Sequence, residues 1–124
     1  MKAIILTDIE KTFFNAAIDI TGFIDNEIEE KAMTAIMLHP DDNVATVIQE
    51  IRDGEEVQII SDRGKIVKAV TAADSIPQNH KIALQTVKKD ADVIKLGEVI
   101  GRATQLIRAG DHVHIHNVVS KRVR

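Results

Sequence analysis

A pattern of a tight turn followed by an alternating strand recurs between residues 51 and 115 of this 124-residue chain. Residues 51–59 (IRDGEEVQI) and 107–115 (IRAGDHVHI) share an apolar residue, Arg, a glycine, an acid, and then Val and Ile two positions apart. Residues 87–94 (VKKDADVI) form a looser third copy. Alternation with period two places Val and Ile on one face of a strand, and the residue at the bend allows the tight turn. The pattern predicts a sheet of short strands joined by tight turns.

The first 32 residues differ from the rest of the chain. They hold all three Phe and none of the five His. Residues 3–6 (AIIL) are predicted to form a buried strand, and apolar residues at helical spacing follow between positions 9 and 20. Residues 1–32 are therefore predicted to be an N-terminal strand-helix extension, and residues 33–124 a separate domain. The extension is interpreted either as a cover for a sheet edge or as a site of self-association into a homo-oligomer.

A short helix is also predicted near the start of the second domain. Asp41 and Asp42 are suited to the N-cap position of such a helix. The apolar residues that follow have the spacing i, i+3, i+4, i+7 of one helix face, at Val44, Val47, Ile48 and Ile51. Together with the short strands, this helix gives the predicted fold class, which is mainly β with short helices (α+β).

Composition excludes several classes of protein. The net charge is −3, from 16 Lys and Arg against 19 Asp and Glu, and aromatic residues are only 2% of the chain. Both values argue against nucleic-acid binding, which needs basic surfaces and often stacking rings. There is no Cys, which excludes disulfides and thiolate metal sites. No apolar run approaches the roughly 18 residues of a membrane span, so we expect a soluble, cytoplasmic protein with no membrane partner.

The sharpest candidate for chemistry is a strip of three histidines, His112, His114 and His116, in a segment predicted to be a strand from 112 to 119. Alternate residues of a strand share one face and lie ~6.6 Å apart, so two of these imidazoles could converge on one metal ion. The third would lie roughly 13 Å from the first. The alternative is a polar outer face or a subunit contact.

Two further groups could contact an anionic ligand. His80 and Lys81 stand at the start of a predicted strand, where the alternative is simply a polar strand entry after a Pro turn. Arg102 could hold a carboxylate through two hydrogen bonds. Gly97 and Gly101 near it are interpreted as turns or bulges, because their spacing does not match a phosphate-binding loop.

Three segments of the chain, taken together, resemble one known family. They are residues 76–84 (IPQNHKIAL), 93–104 (VIKLGEVIGRAT) and 110–118 (GDHVHIHNV), and residues 41–45 (DDNVA) add to the likeness. The sequence resembles the SAF domain of the altronate/galactarate dehydratase family over about residues 34–119, and the small subunit of sulfolactate sulfo-lyase is similar. The resemblance implies a β-clip fold. One departure is Asn79, which stands where the family usually has Gly before the first His; Asn tolerates the positive φ that such a turn needs.

The resemblance also implies roles for particular residues. By position, His80, His112 and His114 are the expected catalytic residues, and His112 and His114 the expected ligands of a divalent metal, iron or manganese. The residues expected to contact substrate are Lys95, Arg102 and His116.

Since the family's large catalytic region is absent from this sequence, the chain is expected to be the small subunit or N-terminal domain of a sugar-acid dehydratase, a hydro-lyase. A large catalytic subunit would complete the site, and the isolated chain would be inactive. Two alternatives remain: a non-catalytic module for sugar-acid binding or assembly, and the small subunit of a sulfolactate sulfo-lyase. The sequence does not distinguish the sugar acid or the leaving group.

Overall fold

The structure, a computed structural model, describes residues 32–121. The predicted strand and helix of residues 1–32 lie outside the described residues. Within 32–121 there are nine strands and no helix, so the mainly β part of the fold prediction is confirmed. The strands are β1 (Met33–Met37), β2 (Val44–Val47), β3 (Glu56–Ser61), β4 (Ile66–Thr71), β5 (Lys81–Ala83), β6 (Asp92–Lys95), β7 (Glu98–Ala103), β8 (His112–Val113) and β9 (Val118–Ser120). None of the described residues belongs to a helix that could cross a membrane.

The strands form two sheets. The larger has the order β4-β3-β1-β2-β5-β8, and all its pairs are antiparallel except β1 with β3. The smaller has the order β9-β7-β6 and is antiparallel throughout. Strand β5 pairs with β8 so that Lys81 lies opposite Val113. This pairing brings His80, next to β5, close to His112 in β8, although the two residues are 32 positions apart in the chain.

The helix predicted after Asp42 is wrong, because residues 44–47 form strand β2. This strand lies between β1 and β5, and three of its four residues are buried. A strand covered on both faces is apolar at consecutive positions, so its residues can imitate the spacing of a helix face. Asp42 does not cap a helix. Its Oδ1 accepts a hydrogen bond from the N–H of Gly97, in the turn between β6 and β7, at 2.9 Å.

Two hydrophobic cores hold the domain together. One includes Ile51, Ile59 and Ile82, and the other includes Val93, Ile107 and Val113. Adjacent residues of β5, Ile82 and Ala83, belong to different cores and are both fully buried. Strand β5 is therefore fixed from both faces, which gives a rigid base to the residues that precede and begin it.

The repeated turn of the sequence is a real structural unit. The three predicted copies are present, and residues 76–82 (IPQNHKI) form a fourth that the sequence comparison missed. The third residue of each turn has a positive φ, between 72° and 94°, while the second does not, as in type II turns. The four residues are Gly54, Asn79, Asp90 and Gly110. The expectation that Asn79 adopts the conformation of the Gly it replaces is confirmed, with a φ of 72°.

Candidate metal and substrate site

The histidine strip is not one extended strand, so the strand predicted from 112 to 119 is wrong. Strand β8 ends at Val113, and residues 114–117 form a turn that leads into β9. The cause is Asn117, whose side chain is buried. Its Nδ2 donates to the His112 carbonyl oxygen at 2.8 Å, and its Oδ1 accepts from the His114 N–H at 2.9 Å. These two hydrogen bonds link the end of the turn to its beginning and so hold it closed.

The turn brings the histidine rings close to one another. We use the term histidine cluster for His80, His112, His114 and His116. The His80 and His114 rings stack with centroids 4.2 Å apart, and the His80 and His112 centroids are 5.1 Å apart. His116, expected to lie roughly 13 Å along a strand from His112, instead has its ring centroid 5.1 Å from that of His112. The rings therefore meet through the fold of the turn and the β5–β8 pairing.

Three members of the cluster have the arrangement of a metal-binding group. One ring nitrogen from each of His80, His112 and His114 lies within 4.8 Å of the others. Ligand nitrogens about 2.1 Å from a tetrahedral ion are about 3.4 Å apart, so small ring rotations would bring all three into range. Such a site with three imidazole ligands leaves a position open for substrate or water. Among the described residues, this is the one group of three or more His and acidic side chains with ligand atoms this close. The donor set fits a divalent transition metal.

The electrostatic environment favours the neutral imidazole at two of these positions. Desolvation, followed by the nearby His116, His80 and His114, lowers the pKa of His112, although Asp74 acts in the opposite direction. Desolvation, followed by the charges of His80 and Lys81, lowers the pKa of His114. A neutral ring nitrogen is the form that binds a metal or accepts a proton.

Two residues around the cluster were not singled out from the sequence. Asp74 accepts a hydrogen bond from the His112 N–H through its Oδ2 at 3.0 Å, and it lies 38 residues earlier in the chain. No local pattern could have indicated that contact. Asn117, by contrast, stands three residues after His114, and Asn is a common closing residue of turns. That spacing could have indicated a turn rather than a strand.

The three predicted substrate contacts, Lys95, Arg102 and His116, do not line one common groove. Lys81 and His114 line a groove of about 200 Å³ beside the histidine cluster. The pKa of Lys81 is lowered by burial and then by Lys95, so the ammonium of Lys95 lies near the same region. Arg102 lines a different groove, with Asp92 and Lys121. The structure therefore brings together the four histidines and places Lys95 near Lys81, whereas Arg102 faces a separate surface.

Comparison with known proteins agrees with this architecture. The sequence profile of the altronate/galactarate dehydratase SAF domain matches residues 33–121, which include all nine described strands and the whole histidine cluster. The chain belongs to this family. The resemblance noted in the sequence is thereby confirmed.

Individual members of the family give the extent of the similarity. The chain is 35% identical over 82 residues to an altronate dehydratase of Bacillus subtilis, covering 66% of this chain and 15% of that protein. It is 30% identical over 97 residues to a galactarate dehydratase (L-threo-forming) of Escherichia coli, of which it covers 17%. It is 51% identical over 49 residues to a (2R)-sulfolactate sulfo-lyase subunit alpha of Chromohalobacter salexigens, covering 40% of this chain and 52% of that subunit. This SAF-domain chain thus spans less than a fifth of these dehydratases and about half of the sulfo-lyase subunit.

Proposed function

We propose that this chain is the SAF-domain component, either a small subunit or an N-terminal domain, of a lyase that removes water from a sugar acid. Its histidine cluster contributes to a metal-assisted site that a larger catalytic chain completes. Two relatives named as dehydratases support the reaction class. More than four fifths of their length lies outside the match, which supports the need for a further catalytic region. We expect the isolated chain to be inactive.

One observation carries this proposal, the convergence of three imidazole nitrogens within 4.8 Å of one another. Three rings so close, brought together by the β5–β8 pairing and by a turn that a buried Asn closes, exceed what a solvated polar face requires. In the proposal, His112 and His114 hold a divalent ion, iron or manganese. The ion, when bound, supplies Lewis-acid stabilisation of the negative charge that develops on the substrate carboxylate.

In the proposal, side chains of this chain carry out the proton transfers of the reaction. In dehydration, a base takes the proton from the carbon next to the carboxylate, and the neighbouring carbon then loses its hydroxyl, which leaves as water after an acid, such as the newly protonated base, has donated a proton to it. In the proposal His80 acts as this base rather than as a third ligand, because its ring lies next to those of His112 and His114, with centroids 5.1 Å and 4.2 Å away. The enol product then rearranges to a keto acid. His116 and Lys95 are the proposed substrate contacts in this site, whereas Arg102, also expected from the sequence, lines a separate groove and is not among them.

A second candidate function is sulfo-lyase chemistry, in which the leaving group is sulfite rather than water. The observation that favours it is the similarity to two sulfolactate sulfo-lyase alpha subunits, at 51% identity over 49 residues and 43% over 53 residues. These relatives are subunits by name, and the chain covers 79% of the second. The same histidines would serve either reaction, because only the leaving group differs.

Reconstitution with a large catalytic chain of this family tests the proposal. The mixture should convert altronate or galactarate to a keto acid, or release sulfite from sulfolactate, while each chain alone does not. Replacing His112 and His114 by Asn should lower turnover at least a hundredfold. The matched control is His39→Asn, since His39 lies outside the histidine cluster. Full turnover in the double variant would show that His112 and His114 take no part in the reaction.

A further inference from the structure

The groove beside the histidine cluster has a polar end and an apolar wall. Its volume of about 200 Å³ is on the order of seven water molecules, which suits a short-chain acid better than a nucleotide. Lys81 and His114 line it together with Ser120. The apolar lining comes from both sheets and from the turn that carries the histidines, and consists of Val93, Ile100, Val113, Ile115 and Val118.

Lys81 is an unusual residue for such a position. It is half-buried at the first position of β5, directly after His80 and opposite Val113. Within residues 32–121 its ammonium makes no hydrogen bond or ion pair, and the same holds for Lys95. A partly desolvated cation without a partner is costly, and a bound anion would remove that cost. By contrast, Asp74 has a hydrogen-bond partner, because its Oδ2 accepts from the His112 N–H.

We propose that this groove binds the carboxylate of the sugar acid, with the Lys81 ammonium as its principal contact and Lys95 adding to the positive potential. The inference rests on the proposed function, because it assigns the substrate-orienting subsite of the same site. The sequence indicated Lys81 only as one of several possible anion contacts, and the inference assigns it one groove and one group of the substrate. It also places the carboxylate next to the histidine cluster, where Arg102 does not reach.

The geometry explains why a carboxylate would be oriented here. An anion on Lys81 would lie beside His114, so the carbon next to the carboxylate would face the cluster. The apolar wall excludes water from one side of the groove, which strengthens the attraction between the ammonium and the carboxylate. Neutral polyols lack the charge that this contact requires, so the groove should select acids over the corresponding alcohols.

Titration of the isotopically labelled chain with galactarate tests the inference, with galactitol as the neutral probe. Galactarate should shift the amide signals of Lys81, His114 and Ser120, and galactitol should not. Lys81→Met should raise the dissociation constant about tenfold or more, as expected for the loss of a charge-assisted hydrogen bond, whereas Lys81→Arg should largely retain binding. The matched control is Lys89→Met, because Lys89 lies on an exposed turn away from the groove.

The outcomes separate this inference from the proposed function. No galactarate-dependent shift at the groove, or equal dissociation constants for the Lys81→Met and Lys89→Met variants, would overturn the subsite. Metal binding by the histidine cluster is measured independently, with Mn²⁺ alone. A chain that binds galactarate through Lys81 but holds no Mn²⁺ would retain the subsite and contradict the metal-assisted reaction.

Discussion

At the residue scale, Asn117 determines where two of the histidines lie. Its side-chain amide uses both polar atoms on the backbone of His112 and His114, and it is buried. An apolar residue in its place would leave the partly buried His112 carbonyl and His114 N–H without these hydrogen bonds. The positions of the two proposed metal ligands, His112 and His114, therefore depend on a residue that is not itself one of them.

Replacing Asn117 by Ala should remove both bonds and release the turn. We expect the free energy of unfolding to fall by about 1–3 kcal/mol and the affinity for Mn²⁺ to fall at least tenfold. Asn117→Asp should be milder, because its carboxylate still accepts from the His114 N–H. Urea denaturation and metal titration measure the two effects. Wild-type Mn²⁺ affinity in the Ala variant would show that the turn does not position the ligands.

The lowered pKa of His112 should make the metal-free protein sensitive to mild acid. In the unfolded chain His112 titrates near 6.5, and in the folded protein it titrates lower because of desolvation and the neighbouring histidines. Between these two values the unfolded state binds more protons, so stability falls as the pH drops from about 6.5 through the folded pKa, and is unaffected by this group above 6.5. Urea denaturation between pH 7.5 and 5 should show that loss, and His112→Asn should reduce it. Identical pH dependence in the two proteins would contradict the assignment.

At the element scale, the sequence predicted the turn-and-strand units but not every strand boundary. The bend at residue 110 and the alternation after it predicted where β8 begins, since both are local properties. The alternating pattern of residues 112–116 extends beyond the end of the strand. Strand β8 ends where it does because the Asn117 side chain forms hydrogen bonds with the backbone of residues three and five positions earlier. Strand β2 was mistaken for a helix because its burial on both faces depends on β1 and β5, which only the tertiary structure supplies.

Sequence patterns alone also could not predict that His80 lies close to the other histidines. It depends on the antiparallel pairing of β5 with β8, and no local pattern states which strands pair. The family resemblance placed His80 among the catalytic residues, but not its distance from His112. The separation of Arg102 from the cluster has the same origin, since β7 belongs to the other sheet.

Equivalent turns in the repeated units allow a matched comparison. Gly54 and Gly110 hold the same turn position with φ of 93° and 94°, but an added Cβ meets no atom within 4 Å at Gly54 and clashes with the Thr71 carbonyl oxygen at Gly110. Gly54→Ala should therefore cost only the backbone penalty, about 1–2 kcal/mol. Gly110→Ala should cost about 1–3 kcal/mol more, because the backbone must also move. Equal losses in urea denaturation would mean that the crowding at Gly110 relaxes freely.

At the scale of the whole molecule, the site combines a rigid base with an open face. His80 and Lys81 stand at β5, which both cores enclose, while His114 and His116 lie on an exposed turn. Ile115, between them, is 84% exposed, so within the described part of the chain nothing covers the turn. A site that is fixed on one side and uncovered on the other is suited to completion by another chain.

Metal binding should stabilise the whole fold, because the turn that brings the His112 and His114 rings together is closed by Asn117 only in the folded state. A ligand that binds only the folded protein at a hundred times its dissociation constant adds about 2.7 kcal/mol of stability. For a chain of this size that amounts to a rise of about 10 °C in Tm. Thermal denaturation with Mn²⁺ or Fe²⁺ and after chelation measures the shift. His39→Asn should keep the full shift, whereas the His112→Asn/His114→Asn double variant should lose it. If no divalent transition metal raises the Tm of the unsubstituted chain, the cluster has a role other than holding a metal within this chain, and its rings would then act through hydrogen bonds alone.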